Sequence, residues 1–392
     1  MRLEGADGGI VVLLAANAWE GIKLADQHLA ERLCESIPVL YVDPPLSAPR
    51  ASSLLKRIAR EGTFLTQLGP RLVRLSPVVQ PYPGRAGFTK LTSRILQWYL
   101  RSALRQLGCR VRVLLHAWPL YDVGRAAGED FLVFWAQDDF AGQGELIGME
   151  AERLYRGEAS LARRAHLVIA ANPGVAERWQ AAGARVRLIP FGCDAERLRD
   201  VDSLAPPPDV ALAPPVAGFV GHINARIDLS LLEAVADAGI SLLVIGPRDP
   251  AFEPARLEAL FARPNVRWLG PKPFEALPAY LRAIDVGLVP YRDSAFNRGS
   301  FPLKTLEYLA AGRPVVGTDL PATRWLASDE IRIADGPAAF ASAVQAAAKE
   351  ERSEERRRAR QAFAARHDWN LRARAFADAF AELEAERRAA AG

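Results

Sequence analysis

Cysteine, methionine and histidine are scarce: three, two and five in 392 residues. Cys34, Cys109 and Cys193 stand far apart with no CxxC spacing, which argues against a zinc cluster and leaves no disulfide framework. Each is read as a small buried hydrophobe. Long apolar runs are missing too. No window approaches the roughly twenty uninterrupted apolar residues of a membrane span. The opening "MRLEGADGGIVVLLAANAWEG" reaches acidic and polar residues too soon for a signal peptide, so the expected compartment is cytoplasmic. A catalytic triad and a pyridoxal-lysine segment are likewise not found.

What is present is a globular composition, half hydrophobic and about a quarter charged, in a chain long enough for two domains. The net charge of +4 is unevenly spread. Between Asp43 and Asp122 there are 13 basic residues and one acid, Glu61. A solvated arginine-rich surface accounts for this plainly, and a face for an anionic partner accounts for it more sharply. Within it, 51–62 and 84–108 combine cations with Leu, Ile, Trp and Tyr at helical spacing, the pattern of an interfacial helix. For Trp98 and Leu100 ordinary packing on a sheet is the expectation. The same charge would suit a nucleic acid, but no recognition motif accompanies it.

Hydrophobic runs alternate with amphipathic stretches, as in βαβ units with parallel sheets. Strands are predicted at 9–16, 37–43, 71–77, 110–116, 131–137, 166–172 and 185–191, with helices at 22–35, 86–107, 145–164 and 173–182. Residues 196–215 are proline-rich and aperiodic. The alternation then restarts, with strands at 216–222, 241–247, 265–270, 285–291 and 313–319 and helices near 228–238, 254–262, 274–283 and 302–311. The expected fold is α/β, two facing Rossmann-like doubly wound domains with an interdomain cleft. Its divisions are 1–195, a linker 196–215, 216–368 and a C-terminal helix 369–392 packing back on the first domain.

Chemistry concentrates in "SFPLKTLEYLAAGRPVVGTD", residues 300–319. Pro302 suits the first position of a helix, and Gly312 followed by Pro314 ends it. The amides and dipole of that helix point toward the preceding loop, where a diphosphate would be stabilised. Lys304 adds charge that the dipole disfavours, and Glu307 lies on the same side three residues on. An exposed ion pair worth about 0.3 kcal/mol is the plain alternative. The position at a switch from loop to helix, beside a core strand, weighs toward a site.

This segment resembles the nucleotide-sugar signature of retaining glycosyltransferases with the GT-B fold, especially family-four enzymes. "LIPFGCD" (188–194), "FVGHINARIDLSLL" (219–232) and "LLVIGP" (242–247) match further family segments in the expected order. "WEGIKLADQHLAERL", "VLYVDPP" and "FWAQDDF" are similar to a polysaccharide- and teichuronic-acid-type branch. The resemblance implies transfer of a sugar from a nucleoside-diphosphate sugar to a carbohydrate, lipid-linked or natural-product acceptor, with retained anomeric configuration. No cofactor and no metal are implied, because cations take the metal's place. Glu307 would hold the ribose, while Lys304 and Arg226 would face the diphosphate. Gly221, His222, Gly246, Tyr291, Ser300, Phe301, Pro302, Leu303 and Thr305 complete the implied donor side.

The family's second glutamate, eight residues before the helix one, is Gly299 here. His222 replaces the arginine of the glycine turn, and Arg226 sits one place before the usual lysine, now Ile227. The acceptor side is expected at strand ends: Trp19, Gly21 opening space for a substrate, His116, and Asp138 as acceptor contact or base. Capping after a loop is the plain reading of Asp138 and Asp139, and local satisfaction that of His116. An epimerase on the same fold and a sugar-nucleotide-binding subunit without turnover are the alternatives. Expected partners are the donor, the acceptor and an anionic membrane surface through 50–112, with no nucleic acid. A peripheral position at the inner membrane face is the corresponding location.

Overall fold

Runs of Val, Ile and Leu become strands buried on both faces, as parallel sheets covered by helices require. In the computed structural model, which describes residues 3–48, 51, 52, 54–56, 62–85, 87–142, 144, 148–350 and 353–391, the chain divides into two units. The first comprises Met1–Pro190 with Asn370–Gly392, and the second Phe191–Trp369.

The first unit contains Ile10–Leu14 (β1), Val39–Val42 (β2), Leu46–Ser47 (β3), Leu65–Gly69 (β4), Leu72–Leu75 (β5), Val78–Val79 (β6), Val111–His116 (β7), Phe131–Ala136 (β8), Leu167–Ala170 (β9) and Val186–Leu188 (β10). Eight of them form one sheet in the order β10-β9-β8-β7-β1-β2-β5-β4, and β3 pairs with β6. The large sheet is parallel except for β4, which runs antiparallel to β5. Strand order therefore reverses between β1 and β7, the place where doubly wound sheets open a crevice at their carboxyl ends. Leu96, Leu100, Ala103, Leu104 and Leu107 of helix Thr89–Leu107 share an apolar cluster with Val12, Leu40 and Leu114 of the sheet.

The second unit contains Val216–Val220 (β11), Ser241–Ile245 (β12), Val266–Trp268 (β13), Val286–Val289 (β14), Val315–Gly317 (β15) and Ile331–Ile333 (β16). Their order, β13-β12-β11-β14-β15-β16, is the 3-2-1-4-5-6 arrangement of dinucleotide-binding sheets, parallel throughout. The reversal lies between β11 and β14. Helices Leu229–Asp237 and Pro337–Lys349 cover one face through Leu231, Val235, Phe340 and Val344.

Several expectations shift. Helix 302–311 forms as Leu303–Ala310, with Pro302 at the N-cap rather than the first helical position. Strands β4 and β16 are not among the predicted strands: "LTQLG" has only two apolar side chains in five residues and "IRI" is only three residues long. The stretch expected as an aperiodic linker begins in helix Ala195–Arg199 and the turn Val201–Ser203. The division falls at Pro190–Phe191 rather than after 195, because the Cys193 amide donates to His367 O at 2.9 Å and the Trp369 amide to Cys193 O at 3.0 Å. Phe191 also meets the ring of Trp369. The last helix, Trp369–Ala391, lies on the first unit from Asn370 onward. There Phe376 meets Trp135 edge-on, Arg112 pairs with Glu384 at 2.6 Å, and Arg187 pairs with Glu382.

Candidate functional site

At the reversal of the second sheet, Gly287 of β14 has no side chain, and a Cβ there would fall 2.2 Å from the Tyr308 ring. Helix Leu303–Ala310 can therefore lie directly on the sheet. Its Tyr308 hydroxyl accepts from the Val220 amide at 2.9 Å, fixing the carboxyl end of β11. One turn earlier, Lys304 Nζ and Glu307 Oε2 are 2.6 Å apart with side chains 24% and 13% exposed, so the pair is half-buried rather than a surface bridge. Leu306 and Ala310 are buried and Leu303 half-buried, as the apolar stripe predicts.

The loops after β11 and β14 are stitched together beside this helix. Arg226 Nε donates to Asn297 Oδ1 at 2.9 Å and its Nη2 to Ser300 Oγ at 3.0 Å. The guanidinium lies 4.8 Å over Tyr291 and 4.5 Å over Phe296, a cation–π arrangement from two rings. Asn297 is 1% exposed and returns its amide to Arg226 O and Arg292 O, both at 2.9 Å. No sequence signal marked Asn297. Its importance comes from bridging two loops that the topology brings together.

Other expected donor-side residues divide. His222 is exposed, and Tyr291 is half-buried. Phe301 faces the interior, against the rings of Phe191 and Trp325, and Thr305 is fully buried. Gly246, at φ +137, is demanded by the protein itself: a Cβ would lie 2.0 Å from Gly221 O. Gly221 is the backbone it must approach, and its own amide donates to Ile245 O at 2.9 Å.

The reversal of the first sheet carries a buried polar network instead. Asp26, fully buried at the start of helix Ala25–Leu33, accepts from Asn17 Nδ2 at 2.6 Å, Gln137 Nε2 at 2.9 Å and the Ala16 amide at 3.2 Å. Burial pushes its carboxyl above the ordinary range despite those donors. Asp43, after β2, accepts from Arg74 Nε at 2.6 Å, Ser76 Oγ at 2.8 Å and the Trp19 amide at 2.8 Å. Asp43 closes the quoted "VLYVD" and so was legible as a strand-end carboxylate; Asp26 was hidden inside a helix.

Among the acceptor-side residues, His116 ends β7, 2% exposed, with Nε2 3.1 Å from Tyr121 O. A carbonyl partner makes Nε2 the donor, which leaves Nδ1 as a buried acceptor with no partner among the described residues. Burial pushes its pKa down to about 4, so the ring is neutral at pH 7. His116 lines a water-sized cavity with Asp43, Trp118 and Tyr121. Trp19 sets its ring edge-on to Tyr41. Gly21 is exposed at φ +114 with nothing near its missing Cβ, so backbone conformation rather than space explains it. Asp139 accepts from Arg178 at 2.7 Å and from the Gly142 amide at 3.1 Å, holding a turn rather than capping a helix. Asp138 beside it is half-buried.

Residues 214–350 match the family model of glycosyl transferases group 1. A Bacillus subtilis (strain 168) protein named for teichuronic acid biosynthesis, the glycosyltransferase TuaH, is 34% identical over 160 residues, 40% of this chain and 40% of the relative. The chain thus spans less than half the length of the curated relatives it matches. Sucrose-phosphate synthase from Thermosynechococcus elongatus superposes with a TM-score of 0.71 at 17% identity, over 96% of this chain and 100% of that one. Anabaena HepE in complex with UDP and glucose gives 0.68 at 15% identity, over 95% and 100%. The fold is GT-B, with two Rossmann-like domains. The glycosyl transferases group 1 match encloses every donor-side residue from Gly221 to Glu307 and leaves Trp19, Gly21, His116 and Asp138 outside it. Among the described residues, no group of three His, Cys, Asp or Glu is placed to hold a metal ion.

Proposed function

We propose that the chain is a glycosyltransferase that takes a sugar from a nucleoside-diphosphate sugar and passes it to a carbohydrate, lipid-linked or natural-product acceptor with retention. The observation that carries this is the half-buried Lys304–Glu307 pair at the start of a helix seated on the sheet reversal, beside an Arg226 already oriented by Asn297, Ser300 and two rings. Glu307 Oε2 holds the ammonium, and Oε1 is the oxygen left to accept from a ribose hydroxyl. Lys304 and Arg226 meet the diphosphate and stabilise the charge that grows on it as the glycosidic bond breaks. Arg226 arrives with its orientation already fixed, so little reorganisation opposes binding.

Neutral His116 and Asp138 stand on the acceptor side, His116 offering Nδ1 to a hydroxyl and Asp138 serving as contact or base. The similarity to TuaH supports a polysaccharide-type acceptor, and the UDP and glucose in the HepE structure support a nucleotide-sugar donor. A lipid-linked acceptor would place the reaction at the cytoplasmic face of a membrane, with the chain as a peripheral protein. No helix among the described residues is long and apolar enough to cross a membrane.

The test is release of nucleoside diphosphate from a panel of nucleotide sugars, with and without a chelator. At least one donor should be consumed, equally fast in the chelator. Binding of every donor without release of diphosphate would contradict the enzyme reading.

A further inference from the structure

Helix Thr89–Leu107 has two faces of different chemistry. Thr92, Leu96, Leu100, Ala103, Leu104 and Leu107 are buried. On the other side Leu91, Arg94, Trp98, Arg101 and Arg105 are exposed, and their spacing of three and four residues aligns them in one stripe. Contrary to the packing expected for it, Trp98 is 56% exposed, and Leu91 is 44% exposed. Phe88 and Tyr82 extend the apolar surface beyond the helix start, with the Arg85 guanidinium 4.6 Å over the Tyr82 ring.

The helix contains no acidic residue. Elsewhere in this unit, arginines spend their charge internally, Arg74 on Asp43 and Arg112 on Glu384. Lys90, Arg94, Arg101 and Arg105 form no ion pair among the described residues. An ordinary solvated helix mixes charges of both signs and hides its tryptophan. Cations with no ion-pair partner among the described residues, interleaved with a large aromatic and a leucine on one face, are what an interface between water and anionic lipid stabilises.

We propose that this stripe docks the chain on an anionic lipid surface, with Leu91 and Trp98 entering the headgroup boundary and Arg94, Arg101 and Arg105 meeting lipid phosphates. Residues 51–62, the other stretch with this pattern, lie partly outside the described residues. A nucleic acid would satisfy the cations but not Leu91. The inference is independent of the donor chemistry, and failure of either leaves the other standing.

Sedimentation of the full chain with phosphatidylglycerol-containing and pure phosphatidylcholine vesicles tests it. Binding is expected to the first and not the second, weakening as salt rises. Arg94→Glu with Arg101→Glu should reduce binding by about tenfold or more. Trp98→Ala should reduce it severalfold, and that loss should persist at high salt because it is apolar. Both variants should unfold thermally close to the wild type, since the stripe is exposed. No binding to anionic vesicles at low salt overturns the proposal. So do variants that bind as wild type does, and a charge-reversed variant that loses only its affinity for a DNA duplex.

Discussion

At the reversal of the second sheet, Lys304, Glu307 and Arg226 are only half-buried and are held in place by Asn297, Ser300 and aromatic rings. At the reversal of the first, Asp26, Asp43, Arg74 and His116 are buried, and their hydrogen bonds are spent mostly inside the protein. The same doubly wound topology thus supports two kinds of polar cluster. Groups that remain near water can exchange their partners for a ligand at low cost. Groups cut off from water chiefly set backbone position, and removing one strands its neighbour.

That contrast makes Asp43→Ala the most damaging change: it leaves Arg74 buried without its main partner and should cost about 3–5 kcal/mol in urea unfolding. Next comes a pH dependence that belongs to the first reversal. Burial depresses His116 from 6.5 to about 4, so between those values the unfolded chain binds a proton that the folded chain refuses. This group's stabilisation is present above pH 6.5 and lost as pH falls toward 4. Glu158, which burial pushes up from 4.5 to about 7, acts in the opposite sense, holding a proton in the fold and losing stabilisation as pH rises through that range. Because the two oppose each other, the comparison must be wild type against His116→Gln. The variant should lose less stability between pH 7 and 4.5, by on the order of 2 kcal/mol.

Smaller effects belong to the second reversal. Arg226→Lys gives up the fork to Asn297 and Ser300 and the double stacking, and should cost about 1 kcal/mol of stability together with a several-fold weaker donor affinity by titration. Gly299 has φ −91, a backbone any residue adopts. Gly299→Ala should therefore move the unfolding free energy by less than about 1 kcal/mol.

Much of this was legible in the sequence. Strands such as "IVVLL" and "VAGFV" read clearly because burial on both faces leaves continuous apolar runs, and Lys304 and Glu307 stood out because charges interrupt such a pattern. β4, with no continuous apolar run, and the three-residue β16 carry no such signal. Tyr308 over Gly287 is a fit between a large residue and a missing one, 21 positions apart, that only the folded register reveals. Asn297 and Asp26 act through partners from other elements, so their neighbours in sequence say nothing of their role. Phe301 and Thr305 show the converse: adjacency to Lys304 in the chain says nothing of facing the same way, and both side chains are buried.

The most direct measurement is calorimetric titration of a nucleoside diphosphate into the wild type and Glu307→Ala, with urea unfolding of both. The account predicts an affinity lowered by about tenfold or more, the loss of a charge-assisted hydrogen bond, with stability within about 1 kcal/mol of the wild type. Unchanged affinity, or a loss of affinity matched by a loss of several kcal/mol of stability, would show that the Lys304–Glu307 pair serves the fold and not the ligand.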